Sequence, residues 1–204
     1  MIDRQAHWQN VYTTKGEGEV SWFQENPAPS LELLALAGAG RSSAIVDIGG
    51  GASRLVDSLV ADGYQDVTVL DLSEAALATA HSRLGDSGAR VKWIATDVTL
   101  WEPEQTYDIW HDRAAFHFLT EPSEQAAYVA RLKRVLRPGR HAIIGTFALD
   151  GPEKCSGLMV MRHDSASLMA ALGDRFKLIH TRDHAHATPW NAIQKFQFSV
   201  FQFS

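Results

Sequence analysis

Three acids and a run of glycines lie where they could grip one ligand. Asp47 stands two residues before Gly49-Gly50-Gly51, within the β-branched stretch Ile45–Ile48. Glycines let a ligand approach the backbone closely, because no Cβ obstructs it. A carboxylate just ahead of them suits a positive ammonium or sulfonium group. Asp71 ends the next apolar stretch, Val67-Thr-Val-Leu70. An acid about twenty residues after a glycine turn, at the tip of the following strand, accepts hydrogen bonds from both ribose hydroxyls of an adenosine. Asp97 follows a third stretch, Val91–Ala95, and a carboxylate there is placed for the exocyclic amine of adenine.

A dinucleotide fingerprint needs glycine or alanine as the sixth residue counted from Gly49, and that residue is Arg54. An acid before the glycines is also atypical of pyrophosphate binding. With Asp47-Ile-Gly49-Gly-Gly51, an acid, one residue and G-x-G, the chain resembles the class I S-adenosylmethionine-dependent methyltransferases. Ser53 stands where their third glycine is usual. The resemblance covers residues 44–147. It implies that Asp47, Gly49, Gly50 and Gly51 hold the methionine end of S-adenosyl-L-methionine, whose product is S-adenosyl-L-homocysteine. Asp71 would take the ribose and Leu72 would pack beside the adenine, with Asp97 and the Val98 amide reading its edge. Two other readings use the same residues: an NAD-linked oxidoreductase, and a non-catalytic module that binds an adenosyl ligand.

A second cluster is Trp110-His-Asp-Arg-Ala-Ala-Phe-His117, at the end of a fourth stretch. Asp112, Arg113 and His117 are the expected catalytic residues, with His111 beside them. An Asp-Arg pair at this place is similar to thiopurine-type methyltransferases. An Asp-Lys pair there marks some protein-lysine methyltransferases, so a small molecule and a protein both stand as acceptors. A general base is needed only if the acceptor arrives protonated. Asp112, His111 or His117 would be that base.

These residues need strands to carry them. Strands are expected near 44–48, 66–70, 91–95, 107–111 and 141–147. Helices fall between them: one from Leu55 to a stop at Gly63, one over 74–84 capped by Ser73, and one from Pro122 to Leu136 halted by Arg137-Pro138-Gly139. Such alternation implies parallel pairing through right-handed crossovers, with the ligand at the carboxyl ends. A helix near 165–172, a strand 176–181, a polar loop 181–189 and a phenylalanine-rich strand 194–203 close the chain. The expected fold is α/β: a Rossmann-like doubly wound, mostly parallel seven-stranded sheet with a C-terminal antiparallel strand and helices on both faces. Residues 1–204 are read as one domain, with an aromatic, irregular lid over 1–30, a cofactor-binding core over 31–150, and a hairpin and substrate rim over 151–204. In the lid, Trp22 is expected at the cofactor, since aromatic faces attract a sulfonium. Lys15 and Glu17 read as solvated charges.

Composition bounds the rest. In 204 residues, 45% are hydrophobic and 21% charged, with a net charge of −5. Without a basic footprint no nucleic-acid partner is expected. No apolar run approaches membrane length, and the first residues lack a signal-peptide core, so the expected compartment is the cytoplasm. One cysteine, Cys155, forms no internal disulfide, and nothing beside it in sequence would activate it. His184 and His186 lack further ligands, so no metal is expected.

Overall fold

The computed structural model describes residues 3–204; residues 1 and 2 of the expected domain and lid lie outside the described residues. Five strands form first: β1 (Ala44–Ile48), β2 (Asp66–Asp71), β3 (Lys92–Ala95), β4 (Tyr107–Arg113) and β5 (Leu136–Phe147). Two more close the chain, β6 (Phe176–Ala187) and β7 (Ile193–Phe203). They make one sheet in the order β3-β2-β1-β4-β5-β7-β6. β1 to β5 pair in parallel, and β7 runs antiparallel to both β5 and β6. The order reverses between β2-β1 and β4, so the carboxyl ends of β1 and β4 flank a crevice.

Strand periodicity explains the two-sided core. Ile45, Val67, Val69, Ile109 and Ile143 point to one face. There they meet Leu33 and Leu34 of α2 (Ala28–Leu36), Leu55 and Leu59 of α3 (Leu55–Ala61), and Leu77 and Ala80 of α4 (Glu74–Leu84). Val46, Ile48, Leu70, Trp110 and Ile144 point to the other face. They pack on Tyr128 and Leu132 of α5 (Pro122–Val135) and on Leu168 and Leu172 of α6 (Ser165–Leu172). Ser73 caps α4, its side chain accepting from the Ala76 amide at 3.1 Å. Among the described residues, no helix is long and apolar enough to cross a membrane.

Three local expectations are corrected. Residues 4–14 are not irregular: they form helix α1 (Arg4–Thr14), capped by Asp3, with Val11 its one buried residue. An amphipathic stripe is missing, so periodicity gives no sign of it. Helix α5 ends at Val135 and β5 begins at Leu136, so Arg137-Pro138-Gly139 lies inside the strand rather than between helix and strand. Register shifts between Tyr107 and Ile109, absorbing the turn as a bulge, with Gly139 at φ +80°. Residues 181–187 are strand rather than polar loop, paired with β7 as far as Ala187 opposite Ile193. β6 is an edge strand with one face in solvent, which is why its sequence is polar.

Candidate active site

The glycine turn after β1 is built by contact as much as by conformation. Gly49 has φ +65° and Gly51 φ +42°. The Gly49 and Gly50 amides both donate to the Leu70 carbonyl, at 2.8 and 3.3 Å. A Cβ on Gly50 would lie 2.5 Å from Asp47 Oδ2 and 2.8 Å from Val69 Cγ1; one on Gly49 would lie 2.7 Å from the Ala115 Cβ. The turn thus folds back on Asp47 from one side and on the β4 loop from the other, and only glycine fits.

A cavity of about 140 Å³ opens beside this turn. Asp47, Gly49, Gly50, Asp71, Leu72, Asp97 and Val98 line it, as do Trp22 and Arg113. Three strand tips thus bring the acids expected from the sequence to one space. Asp71 is 7% exposed. Burial pushes its carboxyl up to about 7, and nearby Asp47 adds to this, although amides of Ser73, Leu72 and Gly51 pull the other way. Asp97 Oδ1 accepts from the Thr99 amide at 2.8 Å and its hydroxyl at 2.7 Å, while Oδ2 faces Arg4 at 3.7 Å.

Three expected residues do not line the cavity. Gly51 lies behind the turn, where a Cβ would meet Asp71 Oδ2 at 2.8 Å. Asp112 is fully buried on the opposite side of the sheet. β4 runs to Arg113, so alternate residues face opposite ways. His111 and Arg113 reach the cavity; Asp112 goes under it. There Oδ2 accepts the Tyr128 hydroxyl at 2.7 Å and Oδ1 the Ala115 amide at 2.9 Å. His117 is also fully buried, edge-on to Phe118 with Phe147 at 4.8 Å, and accepts the Phe147 amide at 3.4 Å. Burial lowers its pKa to about 3, with His163 adding to the shift. Neither group is placed to act on a bound acceptor.

Other residues complete the walls. His111 sits opposite Asp47 in the parallel register. Its Nδ1 lies 2.7 Å from Asp47 Oδ1 and its Nε2 lies 2.9 Å from the Ser30 hydroxyl. Nδ1–H donating to Asp47, with the Ser30 hydroxyl donating to Nε2, satisfies all three. No sequence signal links Ser30 to His111, 81 residues away. Glu17 is more than a solvated charge: it pairs with Arg83 at 2.5 Å and Arg54 at 2.7 Å. The lid aromatics form one cluster, Trp8 meeting Trp22 edge-on at 5.4 Å and Phe118 at 5.0 Å. Trp22 Nε1 donates to the Tyr12 hydroxyl at 3.0 Å. Burial, and then Asp71, pushes that phenol well above the usual range.

Residues 21–24 are fastened down over the cavity. Arg113 Nη2 donates to the Trp22 carbonyl at 2.6 Å. His186 Nε2–H donates to the Ser21 carbonyl at 2.7 Å, and His184 lies 3.2 Å from the Gln24 amide. The two histidines are therefore latch points for this segment. Cys155 lines the cavity, with its thiol pushed up to about 11 by burial.

The donor set suits S-adenosylmethionine. A glycine cradle and three carboxylates surround one space, which favours a ligand with ammonium and sulfonium charge. Residues 45–139 match the methyltransferase-domain family. Malonyl-[acyl-carrier protein] O-methyltransferase of Paenibacillus sp. (strain JDR-2) is 29% identical over 108 residues, which cover 50% of this chain and 38% of that protein. The chain spans between a third and about half the length of the curated relatives it matches. Among solved structures, 1,6-didemethyltoxoflavin-N1-methyltransferase of Burkholderia thailandensis superposes with a TM-score of 0.75 at 22% identity, covering 98% of this chain and 88% of that one. N-methyltransferase NodS of Bradyrhizobium japonicum WM9, in complex with S-adenosyl-L-homocysteine, gives 0.74 at 16% identity over 98% and 99%. The sheet order, the glycine turn and the matched segment agree: residues 45–139 carry a methyltransferase domain on a Rossmann-like methyltransferase fold.

Proposed function

We propose that this domain transfers the methyl group of S-adenosylmethionine to a small-molecule acceptor. The observation that carries the reading is the convergence of Asp47, Asp71 and Asp97 with the glycine turn on one cavity walled in part by the N-terminal segment. Asp71 holds the ribose hydroxyls, Asp97 and Val98 the adenine edge, Leu72 the adenine face, and Gly49–Gly50 with Asp47 the methionine end. When bound, the cofactor supplies a methyl carbon already activated by the sulfonium charge. The protein's work is then alignment and exclusion of water. Trp22, over the cavity, shields that charge with its ring. Arg113 faces the acceptor. Residues 22–24 form part of the wall, which narrows the space left for an acceptor and favours a small molecule over a folded protein.

Calorimetric titration with S-adenosylhomocysteine, with NAD as control, tests the cofactor half. Binding of the first and not the second is expected, and the reverse would replace this reading with an oxidoreductase. Incubating the protein with methyl-labelled cofactor and fractionated lysate tests the acceptor. Label is expected in the small-molecule fraction. Label on protein would overturn the acceptor assignment, and no label in any fraction would favour a binding module.

A further inference from the structure

Arg113 is a cation without a partner of opposite charge. A guanidinium has five N–H donors. One donates to the Trp22 carbonyl at 2.6 Å. Among the described residues, no carboxylate comes within the 4.0 Å of an ion pair. The Phe196 ring lies below the guanidinium, with its centroid 5.8 Å from the guanidinium carbon. Burial pulls the pKa down to about 10, with Asp47 countering it from further off, so the group is charged at neutral pH. Arg113 is half-buried and none of its nitrogens is sealed from solvent without a partner, so its remaining N–H groups stay open to a ligand. The guanidinium lines the cavity, as do Trp22, Phe23, Phe118 and Cys155. Of the three groups expected to take a proton from an acceptor, Asp112 and His117 are sealed off from this space, and His111, which reaches it, has both ring nitrogens engaged by Asp47 and Ser30; an acceptor that arrives ionised needs no base.

We infer that Arg113 is the recognition point for an anionic acceptor, a small molecule with an ionised oxygen or sulfur beside an apolar, flat body that the aromatic walls accept. This rests on the methyltransferase reading, in which Asp71 and Asp97 hold the cofactor and leave Arg113 to the second substrate. A planar fork matches a carboxylate with two parallel hydrogen bonds. The cofactor also has a carboxylate, so the test separates the two sources.

Benzoate and its neutral isostere benzamide are titrated into the protein, with and without saturating S-adenosylhomocysteine. Benzoate is expected to bind at least tenfold tighter than benzamide. The preference should fall below about twofold in Arg113→Gln and survive in part in Arg113→Lys, which keeps the charge. Equal binding of the pair, or none, to the liganded protein would overturn the inference. So would an Arg113→Gln variant that loses tenfold in affinity for S-adenosylhomocysteine but keeps its affinity for 5′-methylthioadenosine, which lacks the amino-acid end. That result would give Arg113 to the cofactor's carboxylate. If wild type fails to bind S-adenosylhomocysteine at all, the methyltransferase reading falls, while the anion preference is still read on the unliganded protein.

Discussion

Asp71 should make stability and cofactor affinity depend on pH in opposite directions. Its carboxyl is pushed up to about 7 in the fold, first by burial and further by Asp47. In the unfolded chain it titrates near 3.9. The folded protein therefore holds the proton more tightly. The stability this provides is fully present below about pH 3.9 and is lost as pH rises through about 7. A gap of about three units at about 1.4 kcal/mol each corresponds to about 4 kcal/mol over the whole window. About 1.4 kcal/mol of that falls between pH 6 and 8, which moves the melting temperature of a chain this size by roughly 3–6 °C. Ribose hydroxyls donate to the ionised form, so S-adenosylhomocysteine should bind about tenfold tighter at pH 8 than at pH 6. The assay is calorimetric melting and titration at both pH values for wild type and Asp71→Asn. Asp112, raised to about 6, adds loss with rising pH, and His117, lowered to about 3, opposes it at lower pH. The difference in slope between wild type and variant isolates Asp71. Identical slopes, in melting or in affinity, would refute the reasoning.

Three further outcomes follow from the geometry. Gly50→Ala drives a Cβ to 2.5 Å from Asp47 Oδ2, so it should lower stability by about 1–3 kcal/mol and weaken S-adenosylhomocysteine binding at least tenfold by titration. Tyr128→Phe removes the hydroxyl that donates to Asp112 at 2.7 Å and accepts from Trp110 Nε1 at 2.6 Å. Denaturant melts should show a loss of about 1–3 kcal/mol with cofactor affinity unchanged; a change in affinity would place Asp112 back in the site. Cys155, buried with its thiol at about 11, should resist iodoacetamide at pH 8 in the native protein and react once the chain is unfolded, as mass spectrometry would show.

Much of the fold is legible because its signals are local. Ser73 caps α4 and Gly85 follows it, as the sequence implies. The β-branched runs before Asp47 and Asp71 are central strands buried along nearly their whole length. The acids at their tips are legible as a site because topology places carboxyl ends together wherever strands run parallel. Helix α1 escaped notice because it is held by distant partners: Gln9 accepts from Ser73 and Ala75, and Arg4 donates to Phe118 and Glu124. No periodicity records such contacts. The His111–Ser30 bond links residues 81 apart in sequence and is invisible for the same reason.

The sequence by itself determined the alternation of strands and helices from Ala44 to Phe147, the glycine turn and the three acids, since each depends on residues within a few positions of one another. Only the tertiary structure decided which acid belongs to the site and which to the core. Asp112 and Arg113 are neighbours with equal claims on paper. The pleat of β4 turns them to opposite faces, sending one to Tyr128 in the packed interior and leaving the other's charge at the cavity wall.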